Sequence, residues 1–251
     1  MMRKVTTIMF FICFVILIVG CNASNTNSEN EVKDEAEDEV SAFEYDMTND
    51  NLSEHWYGIW DGIYKNEGAL TDEQIEEINY LLQPIFTHGE LTEVNPVSCF
   101  FTSYYEDVRD INLPEFLSYF PKGEIPKELP EFYELKSHEF WPFGDDATFE
   151  DMPVPIHRYN SEVVQDMFSE YTEINLNELT GVGFDKVLYL ESTDAYYNFT
   201  SDFGAGIFNC TEGNVKEGII KLYSISRNET REVLTITKSN NKYVIQSFYR
   251  E

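Results

Sequence analysis

The densest set of groups that could do chemistry is the run Gly144-Asp145-Asp146-Ala147-Thr148-Phe149-Glu150-Asp151, four carboxylates in eight residues. Hard cations such as calcium take roughly six to eight oxygens, often from loop carboxylates. The alternating acids and central glycine of an EF-hand loop are absent, and a chain with 46 Asp and Glu is expected to contain such a run somewhere. Asp145, Asp146, Glu150 and Asp151 are therefore the candidate ligands should a metal bind, and no metal or cofactor is assigned. Zinc has less to work with. The four histidines, His55, His88, His138 and His157, form no His-x-x-x-His or His-x-His pair, and no Cys-x-x-Cys occurs.

Nucleophilic catalysis needs a serine or cysteine beside an activating base. Gly-x-Ser-x-Gly is missing. Ser201 precedes an Asp in a glycine-bearing turn, which is ordinary turn chemistry. Cys99 sits among aromatics with no adjacent cation to lower its pKa, which favours burial over reactivity. Gly204-Ala205-Gly206 lies between strands and lacks the following helix of a phosphate cradle. Aromatic residues are the remaining signal: Phe, Tyr and Trp make up 15% of the chain, with Tyr at 16 copies. Most are read as core, because Trp56/Trp60 and Phe100/Phe101/Tyr104 recur at helical spacing. The candidates for contact with a glycan or peptide are Trp141 and Phe143, in a proline-rich loop, and the turn-flanked pair Tyr196 and Tyr197.

The first twenty residues carry a different kind of information. Arg3 and Lys4 precede an apolar stretch from Val5 to Val19, which ends Ile18-Val19-Gly20-Cys21. A basic start, an apolar middle and small residues before a cut site make a secretory signal. The stretch is short of the ~20 residues a spanning helix needs. Its last four residues resemble the lipobox of bacterial lipoproteins. That resemblance implies cleavage before Cys21, a diacylglyceryl thioether on its sulfur, and a protein anchored at the outer face of the cytoplasmic membrane. Residues 22–48 follow with nine acidic residues against Lys33 alone, a net charge of −8. Such a segment cannot bury enough apolar surface to offset its conformational entropy, so it reads as a disordered spacer. The expected organisation is a leader over 1–20, a lipidated acidic linker over 21–48, and one domain over 49–251.

The whole chain has 17 Lys and Arg against 46 acids, a formal charge of −29, of which −23 falls on residues 49–251. That field repels nucleic acid and anionic lipid, so neither is an expected partner beyond the anchor itself. With Cys13 in the leader and Cys21 carrying lipid, Cys99 and Cys210 remain. Export permits a disulfide between them, and their apolar surroundings suit two buried thiols equally well.

The elements that must position these groups divide the domain. A helix is expected from Asn51 or Ser53, carrying Trp56, Ile59, Trp60 and Ile63 and ending near Gly68. Thr71-Asp72-Glu73-Gln74 is a capping box ahead of a stripe at Ile75, Ile78, Leu81, Leu82 and Ile85. Asn95-Pro96 opens a third helix, Asn112-Pro114 a fourth, residues 128–137 a fifth, and Asn160 or Ser161 one through Tyr171. Residues 140–158 read as a loop. The last seventy residues read as strands over 187–190, 196–200, 207–211, 218–226, 232–237 and 243–249. Glu212-Gly213-Asn214 and Asn240-Asn241 are expected among the turns. Helices followed by a meander give an α+β fold, the helical half packed on a C-terminal antiparallel sheet, loosely like cystatin/NTF2-type cones.

Three stretches, Asn95–Tyr105, Trp141–Asp146 with Met152–Arg158, and Thr193–Gly204, together resemble exported lipoproteins of Gram-positive bacteria. This resemblance implies location and brings no activity. The leading expectation is a binding or interaction domain without catalysis, meeting a peptide, glycan or envelope protein. A cell-envelope hydrolase working through carboxylates is the alternative, and a structural or regulatory partner of a membrane protein is a third. For the anchor, Cys21→Ala should release the protein from the membrane fraction or stall its maturation. Fractionation with an immunoblot checks this, and a processed species that stays in the membrane would exclude the lipid.

Overall fold

A computed structural model of the chain describes residues 52–88, 91–121, 123–201, 204–226 and 228–251; Cys21, the leader and the acidic stretch to residue 48 lie outside them. The elements, in chain order, begin with α1 (Leu52–Tyr64), β1 (Gly68–Ala69), α2 (Asp72–Leu82), β2 (Ile85–His88) and β3 (Leu91–Val94). A 3-10 turn over Pro96–Phe101 precedes α3 (Leu113–Ser118), α4 (Phe132–Ser137), β4 (Ile156–Asn160) and α5 (Ser161–Tyr171). The chain closes with β5 (Leu188–Leu190), β6 (Ala195–Phe199), β7 (Cys210–Lys216), β8 (Ile219–Ile225), β9 (Arg231–Ser239) and β10 (Lys242–Arg250). All described residues belong to one unit, Tyr45–Glu251. Among them no helix is long and apolar enough to cross a membrane.

The fold mixes helices with antiparallel sheets and ends in a meander. Strands β7-β8-β9-β10 follow one another, and the short β1 adds at β7. Two tight turns set the register. Glu217 and Gly218 both take positive φ between β7 and β8, and Asn240 and Asn241 do so between β9 and β10. That pair of left-handed residues matches the right-handed twist of the flanking strands. Helix α1 is tied to this sheet where the Trp56 indole N–H donates to the Tyr243 carbonyl at 2.9 Å. Trp56 also meets Trp60 and Tyr171 edge to face, at 5.3 and 5.1 Å between ring centroids. Phe100 extends the aromatic packing to Phe116 and Phe168 at 5.0 and 5.6 Å. Trp56, Trp60, Phe100 and Phe101 are thus core, whereas Tyr104, beyond the end of the 3-10 turn at Phe101, is exposed and its hydroxyl donates to Glu232.

Several elements differ from the sequence expectation, each for a local reason. Strands β5 and β6 leave the meander and pair with β4 in a separate sheet of order β4-β6-β5. Strand β4 itself falls in the stretch expected to be loop; it follows Pro153 and Pro155 and gains its second neighbour from Glu124, whose backbone exchanges two 2.9 Å hydrogen bonds with Arg158. Ile85 begins β2 rather than extending α2, because Pro84 ends the helix. Glu212-Gly213-Asn214 is not a turn but the middle of β7, beside a register shift after Cys210. A Cβ on Gly213 would lie 2.6 Å from Leu70 Cδ1, so the glycine serves close packing there. The helix expected from Pro96 is a six-residue 3-10 turn.

One buried side chain joins α2 to that turn. The Thr71/Gln74 capping box starts α2, with reciprocal bonds of 3.2 and 3.0 Å. At the other end the Asn95 amide donates to the Leu81 and Gln83 carbonyls, both at 2.8 Å, and its Oδ1 accepts from the Val97 N–H at 3.1 Å. Asn95 has no exposed surface. Asn95→Ala would orphan two carbonyls and one N–H away from water, so it should lower stability by about 3 kcal/mol. Urea denaturation measures this, with an unchanged slope expected because the surface exposed on unfolding stays the same.

Candidate functional site

The sheet β4-β6-β5 separates two apolar clusters, and strand alternation decides what each receives. Ala195, Tyr197 and Ile156 face a small cluster with Phe132 and Leu135 of α4. Tyr159 and Tyr196 face the main core. On that same side the Asn198 amide donates to the Pro114 carbonyl at 3.0 Å and to Ser118 Oγ at 3.2 Å, fastening β6 to α3. Next to it in register, His157 is buried, and its Nε2 donates to the Thr200 carbonyl at 3.1 Å. Burial, partly offset by that bond, holds His157 below the ordinary histidine value.

Where β6 ends, a groove of about 510 Å³ opens between α3 and the loop leading into β4. Its apolar walls include Pro114, Phe140, Pro142, Phe143 and Phe199, and polar groups come from Asn112, Glu115, Asp185, Lys186 and Thr200. Lys186 reaches the rim on a tight 3-10 turn over Phe184–Lys186 that follows Gly183, at φ 75°. A Cβ on Gly183 would sit 2.7 Å from Asn112 Oδ1, so the turn and the head of α3 can approach only through glycine. A second groove of about 380 Å³ is lined by Ile125, Pro126, Phe149, Met152, Pro153, Val154, Pro155 and Ile156. Val154 lines both.

The aromatic candidates are divided between these environments. Phe143 lines the first groove, and its ring meets Trp141 at 5.1 Å and Phe199 at 5.3 Å. Trp141 packs behind it against Phe132 at 5.6 Å. Tyr196 is half buried against the main core. Tyr197 has no exposed surface, and its hydroxyl donates to Glu131 at 2.6 Å. Although adjacent in sequence, the two tyrosines lie on opposite faces, and Tyr197 is a core side chain out of reach of a ligand.

The acidic run forms an ordered loop around a lysine. Lys136 Nζ donates to the Asp145 carbonyl at 2.5 Å and the Ala147 carbonyl at 2.8 Å. Asp151 Oδ2 accepts from the Thr148 hydroxyl at 3.0 Å. Asp145, Asp146, Glu150 and Asp151 are all exposed. Among the described residues no group of three or more His, Cys, Asp or Glu converges as a metal would require. Cys99 and Cys210 are separate buried thiols with no bridge between them. Burial pushes the Cys210 thiol up to about 11 and Cys99 higher still, so neither is a thiolate at neutral pH.

Sequence reasoning did not find the polar contact that holds α4 on the sheet. Arg158 donates to Glu124 at 2.7 Å and to Glu131 at 3.2 Å. The Glu131 side chain is only 8% exposed. Burial alone would raise its carboxyl pKa, but hydrogen bonds from Tyr197, from its own backbone N–H and from Arg158 outweigh this and hold it below the ordinary value. A carboxyl lowered in the folded state adds stability above its unfolded pKa and loses it as pH falls through the folded one. Arg158→Met should therefore cost about 2 kcal/mol at neutral pH, since it strips a cation from a buried carboxylate. The gap from the parent should narrow in acid, which chemical denaturation at pH 7 and about pH 3 will measure.

Compared with known proteins, the chain is matched by no family model, no curated protein and no solved structure.

Proposed function

We propose that this chain is a lipid-anchored binding module at the outer face of the cytoplasmic membrane, with the groove between α3 and the loop over 140–156 as its ligand site. The groove is the observation that supports this most. An apolar floor of Phe140, Phe143 and Phe199, with a few polar groups at the rim, is the usual form of a site for a small ligand or a short chain segment. The floor is held from behind: Asn198 fixes β6 to α3, and Trp141 backs Phe143. Such a preformed wall limits the ordering cost of binding.

The anchor rests on the leader that ends at Cys21, and the acidic stretch after it serves as the spacer that carries the module clear of the lipid headgroups. Peptides, glycans and envelope proteins all remain within this reading. The meander, with α1 and α5 against it, is taken as a cone of cystatin/NTF2 type by analogy of arrangement alone, which carries no chemistry.

Lys186 offers a way to block the groove without touching the core, because its side chain is exposed at the rim. Random-sequence peptides and peptidoglycan fragments are titrated onto the full-length chain. Binding of at least one class should weaken tenfold or more in Lys186→Trp, a loss of about 1.4 kcal/mol. Equal binding to the parent and the blocked variant overturns the groove as the site.

A further inference from the structure

We infer that the ligand is an extended peptide carrying apolar side chains beside lysine or arginine, laid across both grooves; this rests on the first groove being the binding site. The second groove decides between a peptide and a glycan. Its walls, Ile125, Pro126, Phe149, Met152 and Pro155 among them, carry no hydrogen-bonding side chain. A sugar seated there would meet no side-chain partner for its hydroxyls. An apolar side chain of a peptide loses nothing by the transfer. Since Val154 lines both grooves, one continuous segment can place an apolar residue in each.

Charge selects the rest of the segment. The loop that walls both grooves also carries Asp145, Asp146, Glu150 and Asp151, all exposed. None of the four is in an ion pair among the described residues. Glu150 and Asp151 lie in sequence between Phe149 and Met152, both on the second groove; Asp145 and Asp146 follow Phe143 of the first. Glu115 and Asp185 add two carboxylates at the first groove against Lys186. With a net charge of −29, the chain attracts a basic segment and repels an acidic one before contact.

The test is selection from a displayed library of random peptides, about a dozen residues long, on the full-length chain. Enriched sequences should pair apolar residues with Lys or Arg, and synthetic copies should bind more weakly as salt rises. Asp145→Asn, Asp146→Asn and Glu150→Gln together should weaken them about tenfold and flatten the salt dependence. Ile125→Asp, at an exposed side chain, should weaken the full peptides while sparing copies cut to fill only the first groove. Enrichment of acidic or uncharged sequences, or indifference to both variants, overturns the inference. The two readings fail separately. Peptidoglycan fragments displaced by Lys186→Trp, with no peptide bound, keep the groove and remove the peptide. Indifference of every probe to Lys186→Trp removes both.

Discussion

A three-stranded sheet with both faces covered tolerates no slip in register, and the candidate site depends on that constraint. Side chains alternate along β6, so Ala195, Tyr197 and Phe199 go to one side and Tyr196 and Asn198 to the other. A shift of one residue would bring the polar Asn198 to the apolar cluster and take the Tyr197 hydroxyl from Glu131. Two polar contacts pin the register, one on each face. Asn198 bonds to α3 on the core side, and the Arg158–Glu131–Tyr197 set bonds to α4 on the other. The groove wall at Asn198, Phe199 and Thr200 is the end of the strand so fixed. Its rigidity comes from a sheet interior, although the opening faces solvent.

An acidic chain must place its few cations where a carboxylate would otherwise be buried alone. Arg158 serves two carboxylates, one of them nearly enclosed, and Arg250 lies 3.5 Å from Glu232, whose side chain is 6% exposed. Arg231 and Lys238 bridge exposed acids, where each pair contributes little. One sheet edge is closed without charge. Asn79 takes both backbone groups of Cys210, accepting from its N–H at 2.7 Å and donating to its carbonyl at 2.9 Å. That side-chain amide stands in for a neighbouring strand at the end of β7 and closes an edge open to pairing.

The sequence made local features legible and hid those built from distant segments. The capping box at Thr71 and the Asn240-Asn241 turn were readable because each uses adjacent residues whose chemistry leaves little choice. Strand β4 was not, because two prolines precede it and its partners, Glu124 and β6, lie far away in the chain. The first groove draws on five separated segments, around residues 112–118, 140–143, 154, 185–186 and 198–200, and no window of sequence contains it. Phe143 was found by its loop; Phe199 and Lys186 were missed, since a strand end and a short turn carry no signal of exposure. Alternation, applied strictly to β6, was the signal that separates Tyr196 from Tyr197.

The acidic loop shows why counting carboxylates misleads about chemistry. A cation site requires the oxygens to point inward, at a cost in mutual repulsion that the ion offsets. Here a cation is already at the centre of the loop, and it belongs to the chain: the Lys136 ammonium. It is held by the carbonyls of Asp145 and Ala147 and leaves the carboxylates outside. The same residues that a metal would draw inward are therefore presented to solvent, on a loop stiffened by Trp141, Phe143 and Phe149 packed beneath it. Carboxylates at adjacent positions thus differ in orientation from a ligand set because the chain's own ammonium, bonded to backbone carbonyls, organises the turn.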